Sequence, residues 1–126
     1  MISKIRNNKA AFTLVEIMIV VAIIGLLAAL AIPGFVKARK QSQGRRILND
    51  CRQLDSAIDQ WAVETGKKDG DALDTAAAAS YLKTAWSDTD LLGNDYDFGL
   101  VGSNQVQISS TTKSALQGVG IDWGAF

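Results

Sequence analysis

Glu16 is the residue that could do most, because of where it stands. In KAAFTLVEIM, residues 9–18, it leads into IVVAIIGLLAALAI, a run without a single charge. An ionised side chain inside hydrocarbon costs a few kcal/mol, roughly 2.5–3.5 for Asp at mid-span and less toward an interface. A carboxylate kept there needs a partner. The rest of the reactive inventory is thin. The chain has no histidine, and Cys51 is its single cysteine. That excludes Ser/His/Asp and Cys/His catalysis, thiolate metal clusters and any intrachain disulfide. Asp88, Asp90, Asp95 and Asp97 offer oxygen ligands of the kind calcium prefers. Their spacing does not match an EF-hand loop, however, and alternation along a strand turns Asp95 and Asp97 to solvent. A soluble acidic surface is the preferred reading, with no metal site expected. Nor is there a glycine-rich phosphate loop. No cofactor is expected, and the chain does not read as an enzyme.

The elements that position Glu16 begin with charge. The 126 residues balance to zero overall, but Lys4, Arg6 and Lys9 give the first eleven a charge of +3. From Lys37 to Arg52 six cations face Asp50 alone, and from Asp69 onward eight aspartates face only Lys83 and Lys113. The uncharged run from Ile17 to Val36 is twenty residues, about one bilayer crossing and longer than the apolar core of a secretory signal. Cations flank it on both sides, so a charge count alone leans slightly against export of the C-terminal part.

KAAFTLVEIMIVVAIIGLLAALAIPGFVKAR resembles the N-terminus of type IV pilins and type II secretion pseudopilins. It has a short basic leader, a cleavage junction before Phe12, a glutamate at the fifth position of the mature chain, an apolar helix and then Pro33. The likeness is close from Ala11 to Arg39 and looser to about Lys68. One position departs from the pattern: the family usually has glycine before the cut, where this chain has Ala11. The resemblance implies cleavage between Ala11 and Phe12 by a prepilin peptidase, methylation of the new Phe12 amine, and an exported head. It further implies storage in the inner membrane and assembly by inner-membrane machinery into a homo-oligomeric helical filament at the cell surface or in the periplasm. Cutting before Phe12 would create an α-amine one helical turn from Glu16, about 6 Å along the axis. A weak pairing within one chain is then possible in lipid. In a filament, the resemblance implies that Glu16 meets the Phe12 amine of a neighbour. Removing one member of a buried pair costs roughly 3–5 kcal/mol, enough to select one axial register.

Gly25 and Pro33-Gly34 interrupt the apolar run, and Pro33 is expected to kink or locally melt the helix. Beyond it Ile47, Cys51, Leu54, Ile58 and Trp61 recur at spacings of four, three, four and three, one apolar stripe of an amphipathic helix. Cys51 lies in that stripe as a small buried apolar residue. TGKKDGD should stop the helix near Gly66. Continuous helix from Phe12 to Thr65 would run about 80 Å. The cationic KARKQSQGRR is open to three readings: a phosphate-binding strip for DNA or lipid head groups, a solvated face, or a face for acidic heads of neighbouring subunits. It lacks interleaved aromatics, and nucleic acid is not the expected partner.

In the remainder, DTAAAASYLK predicts a short helix of roughly ten residues capped by Asp74 or Thr75. NDYDFGLVGSNQVQIS predicts a hairpin: Tyr96 and Phe98 alternate with Asp95 and Asp97, Gly102-Ser103-Asn104 supplies the turn, and Val106 and Ile108 alternate with the polar Gln105 and Gln107. GVGIDWGAF can add a strand, with Ile121, Trp123 and Phe126 as packing residues. The expected fold is α+β: a leader at 1–11, a transmembrane or filament-core helix at 12–36, an amphipathic helix at 37–66, and a small head with an antiparallel sheet at 67–126. The expected function is a structural filament subunit. The alternative is a minor, membrane-anchored tip module that captures DNA, a secreted substrate or a surface.

Overall fold

The structure is a computed structural model that describes residues 11–126. The chain divides after Val36 into two compact units. One helix, α1, is assigned from Leu14 to Thr65 and contributes to both.

In the first unit α1 is built almost wholly from Leu, Ile, Val and Ala, with Glu16 its single charge. Its large side chains are exposed all round, from Leu14 at 75% to Leu30 at 74%. It is long and apolar enough to cross a membrane. Helix is assigned through Gly25, Pro33 and Gly34 in the single chain. Pro33 forfeits one backbone hydrogen bond, but the strong helix formers on either side, Leu26 to Leu30 and Lys37 to Lys40, hold the turns that flank it. A Cβ at Gly25 or Gly34 would meet nothing within 4 Å, so neither glycine is held by close packing in the single chain.

In the second unit the expected stripe is the floor of the core. Ile47, Cys51, Leu54, Ile58 and Trp61 are all buried, joined by Leu48, Ala57 and Ala62. Each large apolar side chain so covered contributes about 1.5–3 kcal/mol. Against them pack Ala78, Tyr96, Val101, Val106, Ile108 and Leu116, with Phe98, Trp86, Ile121, Trp123 and Phe126 at the margin. Gly44 is where the chain's last segment touches the helix, because a Cβ there would sit 2.0 Å from Ile121 Cδ1. Beside it Gln41 Nε2 donates to the Val119 carbonyl at 2.8 Å.

α1 stops as TGKKDGD predicts. Gly66 takes φ +68, its N–H reaches the Val63 carbonyl at 3.4 Å, and the Lys67 N–H reaches Ala62 at 2.8 Å. This paired closure of the last carbonyls is a Schellman motif. The helix expected in DTAAAASYLK is shorter than ten residues: α2 spans Thr75–Ala78 and passes into a 3-10 turn at Ala79–Tyr81. Asp74 caps it, accepting from the Ala77 N–H at 3.0 Å. A further helix, α3 at Ser110–Ala115, starts from the cap Ser109, whose hydroxyl accepts from the Thr112 N–H at 3.2 Å.

The small antiparallel sheet does not form. Among the described residues there are only isolated bridges: Ala72 with Leu100, Thr89 with Asp95, Asp97 with Gln107, and Leu100 with Ser103. The hairpin turn is present where the sequence places it, and its arms do pair. Asp97 and Gln107 exchange N–H···O bonds of 2.9 and 2.8 Å, and Leu100 and Ser103 exchange two of 3.1 Å. The two pairings differ by one residue in register, however. Asn104, the one non-glycine residue with positive φ among those described, at +49, is the extra residue between them. It is a bulge, and a bulge one step from the turn prevents a continuous ladder. GVGIDWGAF adds no strand either. Its Gly118, Gly120 and Gly124 all hold positive φ, which extended pairing does not admit.

Candidate functional site

The start of α1 is built from the sequence Phe12-Thr13-Leu14-Val15-Glu16. Thr13 is the N-cap residue and Glu16 stands three positions on. The Glu16 N–H donates to Thr13 Oγ1 at 3.2 Å, and the Thr13 N–H donates to Glu16 Oε2 at 3.3 Å. This reciprocal arrangement is a capping box, which satisfies two of the donors a helix leaves open at its first turn. In hydrocarbon, where water cannot supply the missing acceptors, each such donor left open costs several kcal/mol. Glu16 therefore has work within its own chain, and the negative charge also lies at the favourable, positive end of the helix dipole. The signal was legible as Thr-x-x-Glu ahead of an apolar run, and the reading of Glu16 as an ion partner alone passed over it.

Phe12 precedes the cap and Ile17 follows the box, the positions of a hydrophobic staple. With Glu16, Val20 and Val21 they border an open apolar cleft of about 430 Å³. Ala11, Phe12 and Glu16 are all exposed, so the junction expected between Ala11 and Phe12 is reachable. Oε2 is engaged by the cap, and the carboxylate's other oxygen can receive a donor from outside.

The head places the remaining candidates apart. Asp88 accepts from Trp86 Nε1 at 2.8 Å. Asp90 is turned inward at 7% exposure. Its Oδ1 accepts from the N–H groups of Leu92 and Asn94 at 2.9 and 3.0 Å, and its Oδ2 accepts from the Thr112 hydroxyl. Asp95 and Asp97 are exposed, on either side of the buried Tyr96. Among the described residues no three His, Cys, Asp or Glu side chains gather as they would around a metal ion. Asp90 is instead the lynchpin of a turn.

Cys51 is fully buried, and that burial pushes its thiol up to about 12. Tyr96, close beside it, is also raised, chiefly by desolvation. Gln105 is a polar residue that its alternation with Val106 assigned to solvent, yet it is 9% exposed. Its Nε2 donates to Asp55 and Asp59 at 2.9 Å each, tying the hairpin to α1. Asp55 is raised by its partial burial, against the lowering effect of the Gln105 hydrogen bond, with the charge of Asp59 adding to the rise. Nothing in the local sequence foretells this three-residue contact, because its members lie up to 50 positions apart.

Residues 6–32 match the family model described as the prokaryotic N-terminal methylation motif. Over 94 residues, 75% of this chain and 53% of the relative, the chain is 34% identical to a type IV major fimbrial protein FimA of Dichelobacter nodosus. It is 31% identical to a type II secretion system core protein G of Klebsiella michiganensis over 62 residues, 49% of this chain and 44% of the relative. It is 43% identical to the type IV major pilin protein PilA of Myxococcus xanthus over 56 residues, 44% of this chain and 26% of the relative. The chain thus spans about half the length, or less, of these relatives. No solved structure matches it.

Proposed function

We propose that this chain is a structural subunit of a helical filament, a type IV pilus or pseudopilus, with no catalysis of its own. The observation that carries the reading is an apolar helix exposed on every side, opened by a lone carboxylate and overlapping a matched N-terminal methylation motif. Such a surface is stable only in lipid or packed against other copies of itself. The names of the relatives, major fimbrial proteins and a secretion core protein, point the same way.

In this reading a prepilin peptidase cuts between Ala11 and Phe12, the new amine is methylated, and the subunit waits in the inner membrane. Assembly machinery then moves it into a filament at the cell surface or in the periplasm. Glu16 keeps its hold on the first turn while its free oxygen receives the Phe12 amine of a neighbour. Gly25, Pro33 and Gly34, which carry helix in the single chain, are the positions where packing melts it. Mass spectrometry of the mature N-terminus tests the route: a methylated Phe12 start is expected, and filament subunits that retain Met1 would overturn it.

A further inference from the structure

The cations that follow the apolar half of α1 have no role in the site above. Lys37, Arg39, Lys40, Arg45 and Arg46 fall within ten residues that contain no carboxylate. Four of them are exposed and Lys40 is half-buried. At about 100° per residue, and taking Lys37 as zero, Arg39 lies near 200°, Lys40 near 300°, Arg45 near 80° and Arg46 near 180°. No gap between neighbouring charges exceeds about 100°. The cations form a collar. The amphipathic stripe a few residues later occupies one side of the same helix, and the head covers that side through Gln41 and Gly44. A single neighbouring protein would meet one face and leave the opposite charges unanswered. Lipid phosphates surround a membrane-crossing helix on every side.

Height along the axis fits as well. Lys37, Arg39 and Lys40 lie within about 5 Å of each other along the helix, the depth of one head-group layer, directly after the last residue of the apolar run. Arg45 and Arg46 follow about 8 Å farther on, inside one screening length of that layer at physiological salt.

We propose that residues 37–46 are a binding collar for anionic phospholipid phosphates, which holds the stored subunit at a fixed depth until it is withdrawn. The proposal rests on the reading of residues 12–36 as a membrane span. The shared chemistry is phosphate, and the source assigned is the lipid head group.

The test uses the full chain reconstituted into vesicles of three parts phosphatidylcholine to one part phosphatidylglycerol, with spin-labelled versions of each lipid reporting the shell around the protein. Phosphatidylglycerol should be preferred in that shell by about two- to fivefold, since one surface cation confers about a fivefold preference. The preference should fall by at least half in a variant with Lys37→Gln, Arg39→Gln, Lys40→Gln, Arg45→Gln and Arg46→Gln, which keeps only the cations before the span and Arg52 near it, and persist with Lys37→Arg and Lys40→Arg; an undiminished preference in the glutamine variant would overturn the collar. Near-ultraviolet dichroism of the three tryptophans checks that each variant is folded. Equal occupancy by both lipids around the unaltered protein would overturn the collar. So would loss of the preference to inorganic phosphate but not to chloride of equal ionic strength, which would assign the cations to the free ion. A glutamine variant that keeps its lipid preference yet fails to polymerise would assign them to acidic faces of other copies. Absence of any immobilised lipid shell would instead sink the membrane-span reading on which the collar depends.

Discussion

The two halves of α1 treat the same side chains in opposite ways. Between Phe12 and Val36 the large apolar residues stand in the open, whereas Ile47, Leu54, Ile58 and Trp61 are covered almost completely by the chain's own head. The difference lies in arrangement rather than in amount of apolar surface. A stripe on one side can be closed by sixty residues folded against it, but a helix apolar all round has no side left for solvent. The first half therefore depends on lipid or on other copies, and the second half is complete by itself.

The largest effect that separates the halves comes from Glu16. Glu16→Ala should leave the head folded and the protein in the membrane while abolishing filaments, as judged by immunoblot of sheared surface material. Glu16→Gln sharpens the point, because glutamine can close the capping box but carries no charge. If it polymerises normally, the cap and not the charge is what assembly needs. In the second half, Trp61→Ala should cost about 3–5 kcal/mol in a denaturant melt. Leu27→Ala in the first half should shift the same melt by no more than about 0.5 kcal/mol, since Leu27 is exposed and stands outside the core cluster. A large Leu27 effect would mean that the halves are not independent.

Gly99→Ala tests the bulge. Its Cβ would lie 2.4 Å from the Asn104 carbonyl oxygen and 2.9 Å from that of Ser103, and both are backbone atoms that cannot swing aside. A loss of about 1–3 kcal/mol is expected in the same melt. The effect that is absent at neutral pH is confined to alkaline solution. The folded Cys51 thiol sits near 12 against an ordinary 9.0. Above pH 9 the unfolded chain releases this proton first, so stability falls as pH rises from about 9 toward 12 and is fully present below. Cys51→Ala should flatten that limb relative to the parent protein, and an unchanged slope would mean that the sulfur is not held in the protonated form.

What could be read from the sequence divides along the same line. The stripe from Ile47 to Trp61, the stop at Gly66 and the Asp74 cap are local patterns with periods or end signals of their own, and each stands where it was expected. The capping box at Thr13 and the N-cap at Ser109 were equally local but went unread, the first because Glu16 had drawn attention as a charge. The hairpin was legible as a turn and not as strands, because one residue in positive φ at Asn104 shifts the register between its arms. Gln105 was illegible. Its polar type and alternation both assign it to water, and only the fold brings it against Asp55 and Asp59. Burial of a polar group follows from its partners, and these partners lie on another element.

The bond from Gln41 to Val119 joins residues 78 positions apart, and Ile121 fills the notch at Gly44. The earliest turn of the second unit to leave a ribosome is thus sealed by residues made 78 positions later. A nascent chain that stops short of Val119 cannot complete this core, so the unit has no early, self-sufficient part: its first turn waits for a partner made long after it.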